Sequence, residues 1–353
     1  MNNKVYVIGV KTYDKALIKQ HIEKCWNELS DDKPIVSTGQ KVLIKPNLAG
    51  AFTPEQAVTT HPDIIETVVD LVIRDGGIPV VGDIPTVGEI AFEATGFFDI
   101  QKKGKFKVLE SKYKSIDVLK GSRKVNVAKD LFEADVFISL PKIKTHVLTG
   151  MSGAIKNTFG LMEPKDRKIT HCTEDLTEFS NILVDVYKVR IPDLVIADAI
   201  LAMEGIGPTH GIPRKCNTVL VGKNGAAVDI AASKLMGYDL NSVPTCRISI
   251  EQNMTDEGVD FLYFGSEIKE WNSFKRVPVF EGKERIRFVK LALGRLAVKE
   301  AGCTKCGICS KCCPARAIRF NPWPVFDAKK CVYCFCCLEM CPTGSILTEK
   351  KIN

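Results

Sequence analysis

Cys303-Thr304-Lys305-Cys306-Gly307-Ile308-Cys309-Ser310-Lys311-Cys312-Cys313-Pro314 is answered further on by Cys331-Val332-Tyr333-Cys334-Phe335-Cys336-Cys337-Leu338-Glu339-Met340-Cys341-Pro342. Each run reads C-x2-C-x2-C-x3-C-P. The second superposes on the first at a shift of 28 residues, Cys303 onto Cys331 and Ile318 onto Ile346. Repetition that extends to the closing proline marks a duplicated half.

Three cysteines two residues apart let a tight loop wrap three thiolates around a cubic [4Fe–4S] cluster, and in two-run domains the fourth cysteine of each run serves the other cluster. The expected ligand sets are Cys303, Cys306, Cys309 and Cys341 for one cluster, and Cys331, Cys334, Cys337 and Cys313 for the other. Structural zinc fits less well, because it takes its four ligands in two C-x2-C pairs. Fourteen cysteines with no secretory leader point to a reducing compartment and metal ligation rather than disulfides. Cys312 and Cys336 exceed the eight ligands needed. Each lies beside a ligand it could replace, and both are expected as small buried hydrophobes. Residues 300–353 resemble the bacterial two-cluster ferredoxins, which implies two [4Fe–4S] clusters in a small α+β domain.

A chain of 353 residues can bury a large core and divides into two or three domains. Its formal net charge is +7, but the lysines are spread along the chain and not gathered into a stripe interleaved with aromatics, so no nucleic-acid partner is expected. No apolar run is long enough to span a membrane. The expectation is a cytoplasmic protein of an anaerobic host.

Working back from the cysteines, residues 286–296 read as a basic amphipathic helix within a connector at 281–299. Residues 1–280 alternate short β-branched runs with helical patterns, which predicts an α/β domain with a largely parallel sheet flanked by helices. Strands are expected at 5–10, 41–45, 78–82, 134–140, 193–197 and 217–222, and helices at 14–29, 63–74, 88–102, 173–188 and 225–236. Open parallel sheets bind ligands beyond the carboxyl ends of their strands. The residues there are Lys45 and Asn47, then Asp83, then Lys142, Lys144 and His146, then Asp198 with Glu204 following.

The segment 142–160 is rich in cations and small residues. Gly150, Ser152 and Gly153 let backbone N–H groups approach a ligand, and Lys156 and Asn157 add side-chain donors suited to a carboxylate or phosphate. The segment is neither a Walker loop nor a G-x-S-x-G elbow, and no early G-x-G-x-x-G marks a nicotinamide site. His171 beside Cys172 is too little for a metal site, His210 lies in a turn-rich loop, and Asp229 is an unusual carboxylate in an apolar helix. Cys25, Cys216 and Cys246 are expected to be structural.

Lys45-Pro46-Asn47-Leu48, Leu140-Pro141-Lys142-Ile143-Lys144-Thr145-His146, Gly153-Ala154-Ile155-Lys156-Asn157-Thr158-Phe159-Gly160, and Asp198-Ala199 with Met203-Glu204-Gly205 resemble the family known as domain of unknown function 362. Its members are often fused to ferredoxin domains. The resemblance implies a fold and a candidate pocket, not a reaction. The expected function is an iron–sulfur oxidoreductase. Lys45, Lys142, Lys144 and Lys156 would neutralise a small anionic substrate, Asn47, Ser152, Gly153, Asn157, Asp198 and Glu204 would complete its site, and His146 would donate the proton near neutral pH. The competing expectation is a non-enzymatic electron carrier or assembly protein that docks a ferredoxin or other redox partner. A third is non-redox chemistry with structural clusters.

Overall fold

The computed structural model describes residues 3–30, 33–85, 88–102, 107–108, 112–171, 173, 175–268, 271–277, 284, 287, 290–291, 294–341 and 343–349. The expected connector helix falls largely outside these residues, as do Cys172 and Pro342.

β-Branched runs with buried faces form a mixed sheet whose main path is Asp260–Gly265, Lys4–Gly9, Ile212–Gly222, Leu194–Glu204, Val136–Leu140, Lys41–Pro46, Ile78–Val81 and Lys107–Val108. Pairing is parallel from Leu194–Glu204 through to Lys107–Val108, and again between Lys4–Gly9 and Asp260–Gly265. Ile212–Gly222 is antiparallel to both of its neighbours. The fold is thus a largely parallel α/β sheet flanked by helices.

One face is covered by the helices Lys15–Ser30 and Pro62–Arg74. Ile18, Ile22, Trp26, Ile64, Val68 and Val72 on those helices pack against Ile8, Val42, Ile44, Ile138 and Ile196 of the sheet. Burying each such aliphatic side chain contributes about 1.5–3 kcal/mol before conformational entropy is counted. Capping sets where helices begin on the opposite face. Asp175 accepts from the Thr177 and Glu178 amides ahead of Leu176–Val189, and Asn224 accepts from Ala226 and Ala227 ahead of Gly225–Leu235.

Four expectations need correction. Residues 88–102 form two short helices, Glu89–Ala94 and Phe97–Lys102, because Gly96 between them takes φ +73°. Tyr113–Val118 and Arg123–Ala128 form a separate hairpin that the strand pattern did not reveal. The segment expected as a ligand loop is structured from its first residue: Lys142–His146 is a strand, paired antiparallel to Gly150–Ser152 and parallel to Leu194–Glu204. That last strand continues well past residue 197, so Asp198 and Glu204 lie inside it rather than beyond its end.

Register then explains the fate of Lys142. It sits beside Asp198 across the parallel pair, and its Nζ donates to Asp198 Oδ2 at 2.8 Å and Tyr13 Oη at 2.9 Å. Tyr13 Oη and the His61 amide also donate to the same carboxylate, at 2.8 and 3.0 Å. Lys142 and Asp198 are both fully buried. Their roles are structural, with each charge satisfied by the other.

In the C-terminal segment the repeat is visible in the backbone. Helices Ile308–Cys312 and Cys336–Glu339 occupy equivalent positions. Lys305 and Tyr333, and likewise Gly307 and Phe335, share left-handed φ values at matching places in the two runs. Leu296–Val298 pairs with Ile346–Thr348, and Ile318–Phe320 with Pro324–Phe326. A single buried cluster runs from Phe159, Phe179 and Ile182 to Cys309, Ile318, Phe335, Leu338 and Ile346, so this segment packs directly onto the α/β sheet's helices.

Removing one partner of a buried ion pair costs about 3–5 kcal/mol. Lys142→Ala is therefore expected to lower the unfolding free energy by that amount in urea titrations, whether or not any ligand is present.

Candidate functional site

At the carboxyl ends of the central strands, Lys45 is the penultimate residue of the strand Lys41–Pro46. Its buried Nζ donates to Asp83 Oδ2 at 2.8 Å, Pro46 O at 2.7 Å and Asn157 Oδ1 at 3.0 Å. Asp83 also accepts from the Leu48 and Ile84 amides, at 2.9 and 2.8 Å. Asn157 returns its amide to Lys45 O at 3.1 Å and Ser139 Oγ at 3.0 Å. Burial pulls the Lys45 pKa down, and the Asp83 carboxylate opposes that shift. Gly160 belongs to this network by its lack of a side chain, since a Cβ there would come within 2.6 Å of Asp83 Oδ1 and 2.8 Å of Lys45 Nζ.

Asn157 and Lys156 ride on the short helix Ala154–Thr158, which Asp229 anchors. The Asp229 carboxylate accepts from the Ala154 and Ile155 amides at 2.6 and 3.0 Å. It therefore caps this helix rather than its own. Gly153 precedes the helix and leaves room for the cap, because a Cβ there would lie 2.0 Å from Asp229 Oδ1. Burial pushes the Asp229 carboxyl up to about 7 against the pull of the two amides.

These elements border a cavity of about 390 Å³. Lys45, Asn47, Lys144, Ser152, Lys156 and Asn157 line it, as the sequence had suggested for ligand contact. Lys142, Gly153, Asp198, Glu204 and His146 are not among its lining residues. Glu204 instead accepts from Arg214 Nη1 at 3.1 Å and the Lys275 amide at 3.0 Å. Lys144 lines the cavity while its Nζ donates to Val58 O at 2.7 Å. Ser152 lies opposite Lys144 in the hairpin, and its buried Oγ has no hydrogen-bond partner among the described residues.

His146 requires a correction of chemistry. Its ring is fully buried, and Nδ1 accepts the Leu148 amide at 3.1 Å, which leaves the proton on Nε2. Burial first, then Lys156, His171 and Lys144, hold its pKa well below the usual imidazole value. Burial and these neighbours disfavour the charged imidazolium, which opposes the expected role as a proton donor near neutral pH.

Sequence reasoning missed much of the wall. The helix Pro164–Thr170 supplies Lys165, Arg167 and Lys168, and His171 follows it. The signal was the charged run Lys165-Asp166-Arg167-Lys168, passed over because it lay outside any strand end. His171 Nδ1 is 2.8 Å from Arg167 O, and burial lowers its pKa to about 3. The opposite wall comes from the C-terminal segment: Ile308, Lys311, Cys312, Cys336 and Met340. Lys168 Nζ donates to Lys311 O, tying the two walls together. Seven cationic side chains and a single carboxylate line the cavity. Among the described residues, Lys45 pairs with Asp83 and Lys165 with Glu163.

Two smaller cavities lie in the C-terminal segment. Cys303, Cys306, Cys309 and Cys341 line one, and Cys313, Cys331, Cys334 and Cys337 line the other. In each, the fourth cysteine of one run joins three of the other, as cluster ligation requires. The Ala317 amide donates to Cys313 Sγ and the Ser345 amide to Cys341 Sγ, both at 3.2 Å and both at the same repeat position. Among the described residues no three of His, Cys, Asp and Glu are placed to grip a single ion; the thiols surround a space instead, and this donor set fits a [4Fe–4S] group.

Fold and site together define an α/β protein with a cation-rich cavity closed by a cysteine-rich segment. The chain belongs to the family described as domain of unknown function DUF362, whose profile matches residues 42–234. It is 28% identical over 256 residues to a thylakoid-associated protein of Synechocystis sp., a match covering 69% of this chain and 78% of that protein. Its structure is similar to the lactate racemase apoprotein of Thermoanaerobacterium thermosaccharolyticum with a TM-score of 0.45 and 13% identity, over 65% of this chain and 56% of that one.

Two pH-dependent outcomes follow. Asp229 has a raised folded-state pKa, so its contribution to stability is complete below about pH 4 and is lost as pH rises to about 7. The difference in unfolding free energy between wild type and Asp229→Asn should therefore narrow by up to about 4 kcal/mol across that window. His171 is shifted the other way. Its ring resonances in an NMR titration should stay constant from pH 8 to pH 5.

Proposed function

We propose that the chain is an iron–sulfur oxidoreductase that exchanges electrons with a small anion held in the cation-rich cavity. Cys303, Cys306, Cys309 and Cys341 would hold one [4Fe–4S] cluster, and Cys313, Cys331, Cys334 and Cys337 the other. When bound, such clusters supply one-electron transfer. The observation that carries the proposal is the two-sided wall of the cavity: cations of the α/β part on one side, and on the other Lys311 together with Ile308, Cys312, Cys336 and Met340, each of these four next in sequence to a thiol of the two four-cysteine sets.

The chain's own residues divide the work. Lys156, Arg167, Lys168 and Lys311 concentrate an anion and offset charge added to it, an effect strengthened by the low dielectric of a partly closed site. Lys45 is held in place by Asp83 and Asn157. Ser152 Oγ offers a hydrogen bond that nothing else in the described structure uses. His146, buried behind the wall, positions the Gly150–Ser152 hairpin through its bond to the Leu148 amide. Cys306 is exposed while Cys309 and Cys313 are buried, so a redox-partner protein would approach the first sulfur set at Cys306.

Anaerobic purification tests the reading directly. The protein should carry iron and acid-labile sulfide sufficient for two clusters. Cys303→Ser and Cys341→Ser should each remove the same half of the iron, and Cys313→Ser and Cys331→Ser the other half. Zinc in place of iron, or iron absent altogether, would discard the oxidoreductase proposal. With clusters intact, Lys156→Gln should raise the KM for the anion by about tenfold, the effect of losing one charge-assisted contact worth roughly 1.5 kcal/mol.

A further inference from the structure

The four non-cationic residues that the C-terminal segment gives to the cavity are not a random sample of that segment. At the repeat's shift of 28 residues, Ile308 corresponds to Cys336 and Cys312 to Met340. The same two positions of each half therefore face the cavity, and the duplicated module presents to it the face related by its own pseudo-symmetry. All four side chains are apolar or sulfur-bearing. Cys312 Sγ donates to Cys309 O at 3.4 Å, and the rest of the side chain offers the cavity a small, soft surface. Phe159 adds an aromatic ring to the lining.

The cations are distributed the other way. Six of the seven, Lys45, Lys144, Lys156, Lys165, Arg167 and Lys168, belong to the α/β part, and only Lys311 comes from the C-terminal segment. A bare inorganic oxyanion would satisfy the first wall and leave the second facing water. A wholly apolar ligand would strand the first. At about 390 Å³ the cavity is also within the range of sites for organic ligands.

We infer that the ligand is an amphipathic organic anion, with a carboxylate or phosphate at one end and an aryl or branched-acyl group at the other, oriented with its apolar end against Ile308, Cys312, Cys336 and Met340. This deepens the proposal for the same site and rests on it only for the claim that the ligand exchanges electrons. Ile308, Cys312, Cys336 and Met340 precede Cys309, Cys313, Cys337 and Cys341 in the chain, and those four thiols are drawn from both sulfur sets. The apolar end is thus held against residues that adjoin both sulfur sets, while the anionic head is an anchor.

The test is calorimetric titration of the full-length, anaerobically purified protein with four probes: inorganic phosphate, acetate, phenylphosphate and benzoate. The aryl anions should bind at least tenfold more tightly than phosphate or acetate. Lys156→Gln should weaken all four probes by a similar factor. Met340→Gln, close in volume, should weaken only the aryl pair, by about fivefold or more. Equal affinity for phosphate and phenylphosphate, binding by none of the four, or a Met340→Gln effect shared by all the probes would overturn the inference. Circular dichroism of each variant separates misfolding from lost affinity, and Met340→Leu, which keeps an apolar surface, should restore the aryl preference. Tight aryl-anion binding without electron uptake from a chemical reductant would sink the oxidoreductase reading alone. Electron uptake without aryl preference would sink this inference alone.

Discussion

The ammonium group of Lys45, buried between the Asp83 carboxylate and the Asn157 amide, is the interaction on which the site's architecture depends. It joins the ends of two neighbouring parallel strands to the short helix that carries Lys156. Taking a lysine out of water is costly, and only full hydrogen bonding makes it tolerable. Each polar atom in this group is accordingly matched, down to the missing side chain at Gly160. The result is a hydrogen-bonded floor beneath the cations that line the cavity.

A similar economy governs the other buried charges. Lys142 and Asp198 neutralise one another in register across two parallel strands, and Asp229 spends its carboxylate on the two amides at the start of Ala154–Thr158. Asp83, Asp198 and Asp229 thus serve the scaffold, and the residues lining the cavity carry an excess of positive charge. Electrostatic preorganisation of this kind needs no rearrangement when an anion arrives.

The cysteine-rich segment completes the cavity as well as carrying its own two sulfur sets. Its packing onto Phe159, Phe179 and Ile182 is apolar and continuous with the core of the α/β part. The fixed placement of Cys312, Cys336 and Met340 against the cation-bearing wall follows from that shared core. Two thiols that are surplus by ligand arithmetic are thereby part of the cavity surface.

Much of this was legible in the chain. Short β-branched runs marked the central strands, and the twice-written cysteine spacing marked which thiols line each of the two small cavities, because both depend on local geometry. The pocket residues Lys45, Lys144, Ser152, Lys156 and Asn157 were legible too, as polar residues following strands. What the chain did not reveal was which charges would find partners. Lys142 and Lys144 are two residues apart, yet one is consumed by Asp198 through strand register and the other lines the cavity. Likewise Arg167, Lys168, Cys312 and Met340 meet across more than a hundred residues of sequence. Local spacing determines periodicity and loop chemistry; pairing of charges and closure of a cavity are long-range events, decided only when the sheet register and the docking of the last segment bring distant side chains together.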